Sequence, residues 1–169
     1  MSGNNDGKFP ADGSILVIGM GNAYRSDDGV GLAAARLIEE RALPGVKVLK
    51  ETGEGGVLID LWQDAAAVII VDTVQLDAEP GSIHRFEADS RRVPADYFHY
   101  STHLFGVAEA IELARVLGKL PRRLIVYGIN AKNLDTGTGL SPEVAKAVPK
   151  VVERAVQDII AFRTAKQVH

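Results

Sequence analysis

The stretch Ala65–Val71, AAAVIIV, is apolar at every position. A strand with one wet face alternates apolar and polar residues, whereas an unbroken run of this kind fits a central parallel strand covered on both sides. Such a strand needs helices above and below its sheet, and the flanking sequence supplies them. Ile15–Ile18 is a second apolar run. It ends in Gly19-Met20-Gly21-Asn22, and after a polar turn Ser26-Asp27-Asp28 opens an amphipathic segment. This order predicts a buried strand, a tight turn and a helix start.

Taken along the chain, the spacing predicts a first helix from Asp28 to Ala42, with Val30, Ala33, Ala34, Leu37 and Ile38 on its inner face, stopped by Pro44-Gly45. Val46–Leu49 reads as a second strand, followed by Lys50-Glu51 and a glycine-rich loop over Thr52–Gly56. Val57–Gln63 reads as a short helix with Leu58, Leu61 and Trp62 inward, and the apolar run ends at Asp72. Ser82–Glu87 follows Pro80-Gly81 too closely for a parallel crossover, so an antiparallel strand is expected there. Residues 88–100 read as a surface loop. Ser101 or Thr102 is expected to cap a helix running to Gly118, with Leu104, Val107, Ala108 and Ile111 inward. Arg123–Ile129 is a further strand and Asn130–Leu140 a long loop. Ser141-Pro142-Glu143 begins the last helix, whose buried stripe is Val144, Val148, Val151, Val152, Ala155 and Ile159. The sum is an α/β fold: a three-layer α/β/α sandwich around a mostly parallel, mixed five-stranded sheet. Residues 14–163 form one domain, between a polar, disordered N-terminal tail (1–13) and a frayed C-terminal tail (164–169).

Composition removes several classes of function. With a net charge of −3 there is no electrostatic case for nucleic acid or for an anionic membrane. With no cysteine, thiolate catalysis, disulfides and thiolate-bound metal sites are all excluded. No apolar run approaches the roughly 20 residues of a membrane span, and the first residues carry no signal-peptide core. A cytoplasmic monomer is expected.

The turn after the first strand invites a dinucleotide-binding reading, because Gly19-x-Gly21 follows a strand. That fingerprint needs a third small residue at the position held by Tyr24, and a pyrophosphate seated on the helix N-terminus. Asp27 and Asp28 occupy that end instead. The helix dipole favours them there by roughly 0.3–1 kcal/mol each, so the turn suits a cation or a polar group. Ser26 as cap and both aspartates as first-turn dipole residues is the plain structural alternative.

Ligands of open α/β sheets gather outside the C-terminal ends of the strands. That rule collects Asn22 and Asp28 after the first strand, Glu51 with Gly53, Gly55 and Gly56 after the second, and Asp72 at the end of the third. His99 and His103 come from the loop and helix start that follow the fourth. Asp28, Asp72 and His103 together supply two carboxylates and an imidazole, a plausible donor set for a divalent transition metal with an open position. Each has a simpler reading: Asp72 as the cap of a turn, His103 as an exposed first-turn residue. His99 competes with His103, but the cap between them places His99 outside the helix. His84, within a strand, and His169, the last residue, read as incidental. No H-E-x-x-H and no G-x-S-x-G motif is present.

In order and spacing, Gly19-Met20-Gly21-Asn22, Ser26-Asp27-Asp28-Gly29-Val30-Gly31, Val71-Asp72, Ser101-x-His103, Tyr127-Gly128-Ile129 and Gly139-Leu140-Ser141-Pro142 resemble the hydrogenase maturation endopeptidases. These proteases trim the large subunit of nickel–iron hydrogenases, and the likeness spans about residues 14–160. The resemblance implies the same phosphorylase/hydrolase-like sandwich. It implies metal-contacting positions at Asp28, Asp72 and His103, which are also the candidates for metal-assisted catalysis. It places Asn22, Glu51, Gly53, Gly55 and Gly56 along the substrate groove. Some members carry Glu at the position of Asp28, many carry Asp at that of Glu51, and many carry Gln or Glu where Asn130 stands. The implied activity is cleavage of one peptide bond near the C-terminus of the large-subunit precursor. The implied metal is nickel brought by that precursor, with no nucleotide cofactor. The alternative is a Rossmann-like nucleotide or small-ligand binding protein, with Glu51 as its ribose-binding acid.

Overall fold

Five strands make one sheet in the order β2-β1-β3-β5-β4: β1 Ile15–Met20, β2 Val46–Glu51, β3 Ala67–Val74, β4 Ile83–Glu87 and β5 Arg123–Asn130. The computed structural model describes residues 14–52, 55–93 and 106–166. The strand pairs β1–β2, β1–β3 and β3–β5 are parallel, and β4 runs antiparallel to β5 at one edge. The antiparallel direction expected for β4 is present, but its partner is β5 rather than its predecessor in sequence.

The three central strands are apolar on both faces, as the AAAVIIV run requires. Ile15, Val17, Ile69, Val71, Ile125, Tyr127 and Ile129 face the layer of α1 (Val30–Glu40) and α4 (Pro142–Lys166). Leu16, Ile18, Val68, Ile70, Leu124 and Val126 face the layer of α2 (Gly56–Leu61) and α3 (Val107–Leu117). Alternation of period two thus sorts one continuous apolar strand between two cores. All six residues of the stripe expected on α4 are buried.

The helix starts differ from the sequence expectation. The first helix begins with a 3-10 turn over Ser26–Gly29, and α1 proper runs only from Val30. On α1 the inner face is Val30, Gly31, Ala34, Ala35 and Ile38, while Leu37 is 37% exposed. Small residues replace Leu37 inside because the helix lies against the sheet at backbone distance. A Cβ on Gly19 would stand 2.3 Å from the Gly31 carbonyl oxygen and 2.6 Å from the Ala35 Cβ. The close helix–strand packing that a dinucleotide-binding fold obtains from the third glycine of its fingerprint is here obtained by Gly19 and Gly31.

On the opposite face α3 is capped at Gly106, whose N–H donates to the Glu109 carboxylate at 3.1 Å. The cap expected at Ser101 or Thr102 lies outside the described residues, as does Leu104. Trp62, fully buried, donates its indole N–H to the Lys119 carbonyl at 3.0 Å and ties α2 to the end of α3. Among the described residues no helix is long and apolar enough to cross a membrane.

Candidate active site

The order in which strands are laid down reverses between β1 and β3: from β1 the chain moves outward to β2, then crosses back to β3 on the other side of β1. Crevices for ligands open at such a switch point, beyond the carboxyl ends of the two strands. The β1 end leads into Asn22 and Asp28, and the β3 end carries Asp72. The register Gly19↔Val71 places these ends side by side.

The turn after β1 is fixed by its own backbone. Gly21 has φ +148, and a Cβ there would fall 1.9 Å from the Asp28 carbonyl oxygen. The Gly21 N–H donates to the Glu51 carbonyl at 3.1 Å. The Asn22 N–H donates to the Asp28 carbonyl at 3.2 Å and to its Oδ2 at 3.1 Å. The Gly21 and Asn22 amides are therefore already engaged, one by the end of β2 and one by Asp28. Asn22 contributes its side chain as a turn-former: Oδ1 accepts the Tyr24 N–H at 2.9 Å. Among the described residues the Asp28 carboxylate has a cationic neighbour in Arg25, at 3.8 Å.

Asp72 is half-buried within the last residues of β3, where the strand runs on to Val74. Its Oδ1 accepts the Thr73 N–H at 2.7 Å. Burial pushes its carboxyl up to about 8; the Thr73 N–H opposes this, and the negative charge of Asp28 adds to it. Asp28 thus lies close enough to Asp72 for its charge to act on the Asp72 carboxyl. His103 and His99 lie outside the described residues, as does Gly53. Among the described residues no group of three His, Cys, Asp or Glu side chains gathers to hold a metal ion. Of the expected donor set, Asp28 and Asp72 lie within the described residues, and the charge of Asp28 acts on the Asp72 carboxyl. Glu51 and Gly55 stand at the ends of the loop after β2, with Gly56 opening α2. His84 lies on β4, within hydrogen-bonding distance of Ser82 Oγ (3.1 Å), and burial lowers its pKa.

Asp27 departs from the sequence reading. It is completely buried rather than placed at the surface of a first helical turn. Its Oδ2 accepts the N–H groups of Lys132 and Asn133, each at 2.9 Å. Its Oδ1 accepts the Ser141 N–H at 2.7 Å, and the Ser141 hydroxyl reaches both carboxylate oxygens at 2.7–2.8 Å. These donors hold its pKa below the ordinary carboxylate value although burial works the other way. Ser26 does not cap the helix either. It sits at φ +52, and its hydroxyl donates to the Asp135 carbonyl at 2.8 Å. Backbone bonds complete the seam: Ser26 N–H to Gly137 O at 2.9 Å, Gly137 N–H to Tyr24 O at 2.9 Å, and Asp27 N–H to Asn133 O at 3.0 Å. The turn after β1 and the loop after β5 are one structural unit.

Asn130 is also structural. Buried at the end of β5, it accepts the Leu76 N–H at 2.7 Å and donates to the Ala78 carbonyl at 2.7 Å, shaping the connection from β3 to β4.

The fold is a three-layer α/β/α sandwich that carries Asp28 and Asp72 at the switch point of its sheet. Residues 33–158 match the sequence profile of the HycI family, hydrogenase maturation proteases, and the chain belongs to that family. It is a peptidase by that membership. It is 31% identical over 156 residues to a putative hydrogenase maturation protease of Methanocaldococcus jannaschii, covering 86% of this chain and 96% of that one. It is 30% identical over 164 residues to a coenzyme F420 hydrogenase subunit delta of Methanothermobacter thermautotrophicus, covering 89% and 98%. Among solved structures, an endopeptidase from Escherichia coli superposes with a TM-score of 0.72 at 28% identity, covering 88% of this chain and 91% of that one. The [NiFe] hydrogenase maturation protease HybD from Thermococcus kodakarensis gives 0.68 at 29% identity, covering 85% and 97%.

Proposed function

We propose that this peptidase removes the C-terminal peptide from the large-subunit precursor of a nickel–iron hydrogenase once nickel is in place, acting as a cytoplasmic monomer. The observation that carries this reading is that Asp28 and Asp72 stand at the neighbouring ends of β1 and β3, close enough for the charge of Asp28 to act on the Asp72 carboxyl. Near neutral pH Asp72 keeps its proton beside the Asp28 charge, and a cation that joined the pair would displace that proton and take both carboxylates as ligands. An oxygen-rich set with open positions suits completing the coordination of a metal that arrives already partly held by its carrier. His103 is the third contact in this reading. Nickel in the precursor would supply a recognition element and a positive charge near the scissile bond. Asn22 and the segment from Glu51 through Gly53, Gly55 and Gly56 would border the groove in which the precursor's chain lies.

The test is a processing assay with nickel-loaded and nickel-free precursor, following the mass of the large subunit. Cleavage of the loaded form alone supports the reading. Equal cleavage of both forms removes nickel as the recognition element, and cleavage of neither by the folded protein removes the assigned substrate. Replacing His103 by Ala should abolish processing while the unfolding transition stays in place; unimpaired processing would remove His103 from the site.

A further inference from the structure

We infer that Asp27 and Thr73 are the positioning residues of this site: together they fix the separation and orientation of Asp28 and Asp72. The inference rests on the reading that these two carboxylates meet the substrate. It assigns to a buried charge a task beyond holding the fold.

The path between the two carboxylates is short and made of named bonds. Asp28 follows Asp27 in the chain. The Asp27 carbonyl accepts the Thr73 hydroxyl at 3.3 Å. The N–H of the same Thr73 donates to Asp72 Oδ1 at 2.7 Å. One residue of β3 thus grips the 3-10 turn with its hydroxyl and the Asp72 carboxylate with its amide.

The side chain of Asp27 sets the rotation of that turn. A 3-10 helix has three residues per turn, so neighbours point about 120° apart. With Asp27 drawn fully inward by Lys132, Asn133 and Ser141, Asp28 is left facing round toward the crevice. Ser26, at φ +52, shows that the turn is not a relaxed helix start. A non-glycine residue in the left-handed region persists only where its surroundings over-determine it. The bonds from Ser26 to Gly137 and Asp135 are those surroundings. All the donors around Asp27 are N–H or O–H groups, so an amide in its place would turn an NH2 toward a donor and release the clasp.

Two variants test this by two readouts. Thr73→Val removes the hydroxyl and keeps the shape and the backbone N–H. Asp27→Asn removes the clasp. Rates are compared at a temperature where both are folded, as judged by their own unfolding curves. On nickel-loaded precursor, kcat should fall about tenfold for Thr73→Val and about a hundredfold for Asp27→Asn, with KM within about threefold of the parent, since small misplacements of reacting groups are felt in rate. Thr73→Ser, which restores the hydroxyl, should return kcat to within about twofold of the parent.

The second readout needs no turnover. In amide exchange followed by nuclear magnetic resonance, Asn22 (bonded to Asp28 Oδ2) and Thr73 (bonded to Asp72 Oδ1) should lose protection in Asp27→Asn. Val126 at the centre of β5 should keep its own. If the parent fails to cleave, the functional reading fails, and exchange at Asn22 and Thr73 still decides the positioning role. If the parent cleaves while both variants keep its kcat, or if both amides keep their protection in Asp27→Asn, the inference is overturned. Should Asp27→Asn not fold, Thr73→Val with its serine rescue carries the decision alone.

Discussion

Gly31 is pressed against the end of β3: a Cβ at Gly31 would stand 2.4 Å from the Val71 carbonyl oxygen, and 2.3 Å from that of Met20. The first turn of α1 is thereby seated across the β1–β3 junction at backbone distance. This seat brings the turn that carries Asp28 up to the strand that carries Asp72.

Gly31→Ala should therefore cost more than its change in helix propensity suggests. Alanine favours a helix, but here both obstacles are backbone oxygens of central strands, which cannot step aside. A loss of about 2–4 kcal/mol is expected in urea unfolding, as for other overpacked core sites. A variant as stable as the parent would show that the helix can lift off the sheet freely.

Stability should depend on pH through two acids of opposite sign. Asp72 is held at about 8 in the fold against 3.8 for an ordinary aspartate. Between these values the folded chain keeps a proton that the unfolded chain has released, so stability should fall as pH rises from about 4 to about 8. Asp72→Asn should flatten the curve in that window. Asp27 is held below the ordinary value, so its contribution is complete above about pH 4 and is lost as pH falls further. Urea unfolding at a series of pH values separates the two windows. A parent curve no steeper than that of Asp72→Asn would contradict the burial of the Asp72 carboxyl.

Asp28→Asn deletes a charge while leaving an oxygen to accept the Asn22 N–H. With the carboxylate only partly buried and an acceptor oxygen retained, unfolding should change by about 1 kcal/mol or less. Processing should fall by about a hundredfold or more, the loss expected when one group of a charge-stabilising site is removed. Retained processing would place Asp28 outside the chemistry.

Asn130→Ala should behave in the reverse way. It leaves the Leu76 N–H and the Ala78 carbonyl without their partner, at a cost of about 2–4 kcal/mol. Residual folded protein should process precursor at the parental rate, because Asn130 spends its side chain on the connection between β3 and β4. A selective loss of rate at unchanged stability would assign it a part in the site.

The layers of the fold were legible because they depend on local period. The AAAVIIV run marked the central strand, the stripe from Val144 to Ile159 marked the packed face of α4, and the short gap after Gly81 marked an antiparallel strand. Strand-end counting likewise located Asp28 and Asp72. What failed were assignments decided by distant partners. Asp27 and Asp28 are indistinguishable by pattern, and only Lys132, Asn133 and Ser141, more than a hundred residues further on, draw one of them inside. Ser26 looked like a cap because its neighbours look like a helix start; its real acceptor is Asp135. Leu37 looked inward because bulky apolar residues usually are, whereas the turns of α1 nearest the sheet present Gly31, Ala34 and Ala35 and leave Leu37 37% exposed. His103 and Gly53 lie outside the described residues, so their part in the site rests on the resemblance.

The clasp between Asp27 and Ser141 joins positions 114 apart in sequence. Closing so long a loop is entropically slow, and contacts of this range form after local ones. During synthesis the turn after β1 leaves the ribosome early, yet its inward aspartate has no donors until β5 and the first turn of α4 have emerged. Until then the turn that carries Asp28 lacks the partners that hold its neighbour inside.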